Sequence, residues 1–258
     1  MKNSNISWTK STWNPWIGCR KVSKACKFCY MHRILEKGGS NPNTVVKSIG
    51  SFNAPLKWEK GRKIFTCSMS DFFIEEADKW REEIWEIIKQ TRQHTYLILT
   101  KRPERIKDNL PNDWNSENYP HVWIGVTVED QESVSRIHYL DEFGCNVKWV
   151  SFEPLLGEVY LTGKELSIID WAVIGGESGN KKGKYQFRKS ELSWFLSLMY
   201  QFEKEDTPYF FKQFGTWYHY NQFKLKDWKG EKQCENFPKS FETRQYPKIY
   251  NYGKTINQ

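Results

Sequence analysis

Six short apolar runs, rich in β-branched and aromatic residues, recur along the chain at residues 63–67, 95–99, 122–128, 147–152, 171–174 and 209–211. Runs of this length without apolar/polar alternation read as strands buried on both faces. Between most of them lie stretches with helical spacing: residues 75–91, where Ile84, Trp85, Ile87 and Ile88 form an apolar stripe, then 131–143 and 189–202. Strand and helix in repeated alternation leave few architectures open, because a helical crossover returns the chain to pair in parallel. With a further strand expected over residues 12–17, the count is about seven, short of the eight of a closed barrel. The expectation is an α/β fold, a partial (β/α) parallel barrel. Residues 1–217 are assigned to it; residues 218–258, rich in Lys, Asn and Tyr and weakly periodic, are assigned to a C-terminal extension packed on the same domain.

The residues that follow the expected strands are rich in chemistry. They are Ser68-Met69-Ser70-Asp71, Thr100-Lys101-Arg102-Pro103, Glu129-Asp130, Glu153-Pro154 and Gly175-Gly176-Glu177-Ser178-Gly179. In a parallel barrel the C-terminal strand ends share one face, where active sites are built, so these groups are expected to converge. Taken one at a time, each also reads as a surface ion pair or a plain turn.

Of six cysteines, three crowd into eleven residues, Cys19, Cys26 and Cys29, while Cys67, Cys145 and Cys234 are scattered. That is the distribution of a metal loop and not of a disulfide framework. Thiolates are soft ligands that suit zinc or an iron–sulfur cluster. A [4Fe-4S] cubane with three protein ligands leaves one iron open to chelate S-adenosylmethionine, whose reductive cleavage gives a 5′-deoxyadenosyl radical. Phe28, just before the last cysteine, would shield such a cluster from solvent. The competing reading is a closed Cys₃His zinc site completed by His32. Arg20, Lys21, Lys24 and Lys27 between the ligands would offset an anionic cluster or face a polyanion.

Lys and Arg outnumber Asp and Glu by 39 to 31, a formal charge of +8, which suits an anionic partner as well as a solvated basic surface. The first ten residues are polar, and no window approaches the roughly 18 apolar residues of a membrane span. A cytoplasmic protein is expected.

In combination, several segments resemble the phage-associated Gp37/Gp68 family of radical-SAM-like proteins, which carry a three-cysteine motif. They are Thr12-Trp13-Asn14-Pro15 with Gly18-Cys19, Cys26-Lys27-Phe28-Cys29-Tyr30, Leu99-Thr100-Lys101-Arg102-Pro103, Trp123-Ile124-Gly125-Val126 with Glu129-Asp130-Gln131, Ser151-Phe152-Glu153-Pro154, Gly175-Gly176-Glu177-Ser178-Gly179 and Phe211-Lys212-Gln213-Phe214-Gly215. The resemblance implies a partial barrel of the radical SAM type with the cluster loop after the first strand, although the gap between Cys19 and Cys26 is longer than is usual there. It does not supply the reaction. In such a fold Ser68, Ser70 and Asp71 would meet the methionine amino group, Lys101 and Arg102 the carboxylate, and Glu129 and Glu153 ribose hydroxyls or substrate. Gly175, Gly176 and Glu177 look like a glycine-glycine-glutamate cofactor motif but follow a late strand, which suggests a tight turn or close backbone approach to a ligand. Arg188, Lys212 and Gln213 would extend the site toward substrate, with Trp13, Trp16 and Trp217 as stacking surfaces. Cys67 would serve as a hydrogen donor or as a buried structural thiol.

The expectation is therefore a radical SAM enzyme that holds a [4Fe-4S] cluster and S-adenosyl-L-methionine, acts on a nucleotide, nucleic acid or anionic metabolite, and draws electrons from a flavodoxin or ferredoxin. The alternative is a zinc-stabilised nucleic-acid-binding protein without catalysis.

Overall fold

A computed structural model of the chain describes residues 3–221, 239–251 and 254–256. Seven strands form one parallel sheet in which each pairs with its neighbours in sequence. They are β1 (Ser11–Trp13), β2 (Lys63–Thr66), β3 (Thr95–Thr100), β4 (Val122–Thr127), β5 (Val147–Phe152), β6 (Trp171–Gly175) and β7 (Tyr209–Gln213). The sheet curls into a half-barrel whose edges are β1 and β7. Helices α1 (Tyr30–Lys37), α2 (Asp78–Gln90), α3 (Gly163–Ile168), α4 (Leu192–Lys204) and α5 (Thr216–Asn221) lie in the connections and after β7.

Two expectations change in detail. The first strand stops at Trp13, because Pro15 has no N–H to continue a ladder; Trp16–Ile17 instead pairs antiparallel with Val46–Lys47. The segment 131–143 is a 3₁₀ helix, Gln131–Glu142, capped by Asp130 and Ser133. Its buried residues Val134, Ile137 and Leu140 recur every third position, the spacing that aligns side chains at three residues per turn.

Side-chain alternation divides the sheet cleanly. Ile64, Ile98, Ile124, Val150, Ala172, Ile174 and Phe211 face the main core, together with Ile84, Trp85 and Ile88 of α2 and Phe195 and Leu198 of α4. Leu97, Trp123, Trp149, Trp171, Val173 and Phe210 face the other way and close around Trp8 in a second, inner cluster. Its rings meet at 5.4 Å for Trp8 with Trp149, 5.4 Å for Trp149 with Trp171 and 5.7 Å for Trp123 with Trp171, mostly edge-on or tilted. Such pairs contribute about 0.5–1.5 kcal/mol each beyond area burial. Gly125 is required here: a Cβ would stand 2.5 Å from the Trp149 carbonyl oxygen and 2.7 Å from its indole. The inner face is thus plugged by tryptophans toward the N-terminal strand ends. Continued past the strands, the same alternation carries Lys101, Glu129, Glu153 and Lys212 to the inner side at the opposite, C-terminal mouth.

The chain after residue 238 returns to β7. Phe211 N–H donates to the Thr243 carbonyl and Gln245 N–H to the Tyr209 carbonyl, both at 3.0 Å, while Phe241 packs against Phe211 and Phe214. Residues 239–246 therefore cover a sheet edge that would otherwise expose unpaired backbone. Residues 222–238 of the expected extension, with Cys234, lie outside the described residues. Among the described residues no helix is long and apolar enough to cross a membrane.

At the start of β2 the Lys63 ammonium sits 3.5 Å from the ring centroid of Tyr246. Burial, with Lys10 nearby, pulls its pKa from 10.5 down to about 8. The unfolded chain then binds the proton more tightly than the folded one, so this residue makes stability rise with pH between about 8 and 10.5. Lys63→Met is expected to flatten that rise and to raise the urea midpoint more at pH 7 than at pH 10, measured on both proteins at both values.

Candidate active site

The cysteine loop leaves β1 through Asn14, whose Oδ1 accepts the Met69 N–H at 2.8 Å and whose amide contacts Ser68 Oγ at 3.1 Å. Gly18 N–H donates to the Met69 carbonyl at 3.0 Å, and the Ser70 hydroxyl to the Gly18 carbonyl at 2.5 Å. Gly18 has φ +103°, and a Cβ would lie 2.2 Å from the Thr44 carbonyl oxygen, so only glycine fits where the loop turns. Cys19 follows, its N–H donating to the Pro42 carbonyl at 2.8 Å. A 3₁₀ turn, Lys24–Phe28, then presents Cys26, and Cys29 caps the N-terminus of α1. All three cysteines are free, half-buried thiols on one loop at the C-terminal mouth.

Among the described residues, two side chains reach their sulfurs. Arg102 Nη1 lies 3.8 Å from Cys19 Sγ, and Ser23 Oγ lies 3.7 Å from Cys26 Sγ. Burial, reinforced by Asp71, pushes the Cys19 thiol up to about 12, with Arg102 opposing. Without a metal such a thiol stays protonated, and a metal bound there would have to displace that proton. His32 is buried, and its ring is hydrogen-bonded to the Cys19 carbonyl; burial and the nearby Lys21 hold its pKa below the usual value and keep it neutral. Among the described residues no group of three His, Cys, Asp or Glu side chains stands at the spacing of a single metal ion. A cubane asks for a wider set, since each thiolate binds a different iron. The donor set, soft thiols beside Arg102 and an exposed basic loop, fits an anionic cluster.

Beneath the loop the strand-end residues pair with one another. Asp71, expected to meet a cofactor amino group, is spent internally: Oδ1 accepts the Phe73 N–H at 2.9 Å and the Thr100 hydroxyl at 2.7 Å. Its Oδ2 accepts the Lys101 N–H at 2.9 Å and pairs with Arg102 at 3.2 Å. Arg102 also donates to the Arg20 carbonyl at 3.0 Å, so it braces the cysteine loop and does not await a free carboxylate. Glu129, 2% exposed, accepts from Ser23 Oγ at 2.8 Å and Arg136 Nη1 at 2.7 Å, with Lys101 Nζ at 3.9 Å. Glu177 binds Arg188 through backbone N–H at 2.7 Å and Nε at 2.8 Å, and Arg188 passes on to the Lys24 carbonyl at 3.1 Å and over the Phe28 ring at 5.3 Å. The Glu177 and Arg188 expected at cofactor and substrate form a latch on the loop.

Other expectations are corrected by burial. Trp13 and Trp16 are 1% and 0% exposed and donate their indole N–H groups to the carbonyls of Ser51, Phe52 and Asp71, which removes them as stacking surfaces. Cys67 lies in the main core with φ +61°, a structural thiol whose pKa burial raises, and not an exposed hydrogen donor. Gly176 makes the close approach anticipated for a glycine pair, but to the Phe214 carbonyl of the chain itself, 2.1 Å from where a Cβ would be.

What stays half-buried and open at the mouth is a smaller polar set. Glu153 Oε1 accepts from Lys212 Nζ at 2.6 Å and Gln213 Nε2 at 3.0 Å, and Gln213 also donates to Ser178 Oγ at 2.8 Å. Gly175 leaves room for the Glu153 carboxyl, 3.2 Å from where a Cβ would stand. Across from them the Tyr30 hydroxyl donates to the Ser68 carbonyl. Shielding of that hydroxyl, on a residue 39% exposed as a whole, with the Cys29 thiol and the Glu153 carboxylate near, pushes the phenol up. Sequence alone assigns no role to Asn14, Ser23, Tyr30 and Arg136, although Asn14 and Tyr30 lie inside recognisable motifs.

A parallel α/β half-barrel with a three-cysteine loop over a polar mouth defines the class of architecture. The chain belongs to the family described as Protein of unknown function (DUF5131), which it matches over residues 3–245. No curated protein and no solved structure matches it.

Proposed function

We propose that this protein is a radical SAM enzyme, of the kind its resemblance to the Gp37/Gp68 family implies, with Cys19, Cys26 and Cys29 as ligands of a [4Fe-4S] cluster. The observation that carries the reading is the placement of three half-buried thiols on one braced loop, at the mouth of a half-barrel lined by paired cations and carboxylates. When bound, such a cluster supplies the electron that cleaves S-adenosylmethionine to methionine and a 5′-deoxyadenosyl radical.

The chain's own residues do the rest by position and charge. Arg102 donates toward Cys19 and offsets the negative charge of thiolate ligands, which favours the reduced state. Phe28, half-buried with Lys27 Nζ 5.2 Å and the Arg188 guanidinium 5.3 Å from its ring, keeps water from the loop. Lys101 and Lys212 are the half-buried cations suited to a carboxylate or phosphate, while Glu153 and Gln213 suit hydroxyl or amino groups. An anionic substrate, a nucleotide or nucleic acid, and a flavodoxin or ferredoxin as electron source complete the reading.

His32 separates it from the zinc alternative. In a Cys₃His site His32→Ala removes the metal; in a cluster site it leaves the iron content intact and only loosens the loop. Iron and zinc content of anaerobically purified His32→Ala, with 5′-deoxyadenosine formation on reduction, is the test. Retained iron and product are expected, and loss of metal would overturn the assignment.

A further inference from the structure

We propose that the rim formed by the cysteine loop, α1 and the connection from β6 to α4 is a docking surface for a single-stranded nucleic acid. The inference rests on the mouth being the working face, and is independent of which metal the cysteines hold.

Three contacts fasten these segments into one surface. Arg33 Nη1 donates to Asn180 Oδ1 at 2.9 Å, Lys184 Nζ pairs with Glu36 at 2.7 Å, and Arg188 Nη1 donates to the Lys24 carbonyl at 3.1 Å. Six cations collect there: Lys21, Lys27, Arg33, Lys181, Lys182 and Lys184, all exposed except the half-buried Arg33. Of these, only Lys184 has a carboxylate partner among the described residues. Uncompensated charge brought together from three segments is the footprint of a polyanion.

The aromatic groups on this rim decide which polyanion. Tyr220, at the end of α5, joins this rim: it is 51% exposed and stacks on Phe187 of the β6–α4 connection at 6.1 Å with the planes 21° apart, and Lys181 Nζ lies 5.3 Å from its ring. An exposed ring beside a row of lysines is the arrangement that holds an unpaired base while the cations track its phosphates. A duplex keeps its bases stacked away from such a ring, and a base must leave the stack to enter a recessed mouth.

The test uses the full chain and fluorescein-labelled 15-nucleotide strands of mixed sequence, as DNA, as RNA and as DNA duplex, read by anisotropy from 50 to 250 mM salt. Binding to a single strand, in preference to the duplex, is expected, and the stronger of the DNA and RNA arms names the natural chemistry. The logarithm of affinity is expected to fall steeply with the logarithm of salt, by about 0.7 for each phosphate engaged. Lys181→Gln with Lys182→Gln is expected to shallow that slope by about 1.4 and weaken binding by roughly tenfold at low salt. Tyr220→Ala is expected to weaken binding by about tenfold with the slope unchanged. Lys57→Gln with Lys60→Gln, exposed before β2 at the opposite end of the sheet, is expected to bind as the parent does. No binding at 50 mM salt, preference for the duplex, or equal losses from the opposite-end pair would overturn the proposal. If the strand fails to bind while deoxyadenosine still forms, the docking surface is wrong and the radical reading stands. If the strand binds and no iron is found, the reverse holds.

Discussion

Replacing Asp71 with alanine is expected to destabilise the fold by roughly 3–5 kcal/mol, the cost of leaving a buried cation without its partner. Asp71 and Arg102 are 5% and 8% exposed, and the carboxylate carries four partners: Phe73 N–H, the Thr100 hydroxyl, Lys101 N–H and the guanidinium. Alanine removes all four acceptor contacts at once. Arg102 is held by the same network against Cys19 and the Arg20 carbonyl, so the loop loosens as the core weakens. Asp71→Asn keeps the shape and some of the hydrogen bonds and is expected to cost less. Adding Arg102→Met to Asp71→Ala is expected to recover a large part of the loss, because the unpaired charge goes with it. Urea unfolding followed by tryptophan fluorescence measures all three variants. A loss below about 1 kcal/mol for Asp71→Ala would show that the pair is not buried as described.

The second large effect is on metal. Alanine at Cys19, Cys26 or Cys29 is expected to reduce bound iron to below about a tenth of the parent and deoxyadenosine formation by at least about a hundredfold, since removing a ligand costs more than disturbing its neighbours. The global fold is expected to survive, because all three side chains are only half-buried on a loop. Cys145→Ala is the control: that thiol is occupied with the carbonyls of Val122 and Val147, away from the mouth, and its loss is expected to leave iron unchanged. Equal iron in Cys26→Ala and Cys145→Ala would remove the loop from metal binding.

The parallel sheet was legible in the sequence because strands buried on both faces cannot alternate, and uninterrupted runs such as Val122–Thr127 and Val147–Phe152 declare themselves. A helix over residues 131–143 was legible too, but its 3₁₀ winding was not, because a looser helical template also accepts the three-residue spacing of Val134, Ile137 and Leu140. The convergence of the strand ends followed from topology alone. What the sequence did not disclose is how the converging charges divide. Asp71 with Arg102 and Glu177 with Arg188 are separated by 31 and 11 positions, and nothing local says that each satisfies the other and not a ligand. Trp13 carries the same ambiguity: the ring suits a base or a core equally, and only the carbonyls of Ser51 and Phe52 at its N–H decide. The polar groups that stay half-buried at the mouth, Lys101, Glu153, Lys212 and Gln213, share the inner-face parity or lie at the end of β7 beside it.

The measurement that bears most directly on this account is the metal content of the full chain purified without oxygen. About four iron atoms and four acid-labile sulfides per chain, with zinc well below one, are the result expected for a cluster held by Cys19, Cys26 and Cys29. One zinc per chain with neither iron nor sulfide, before and after anaerobic reconstitution, would contradict it.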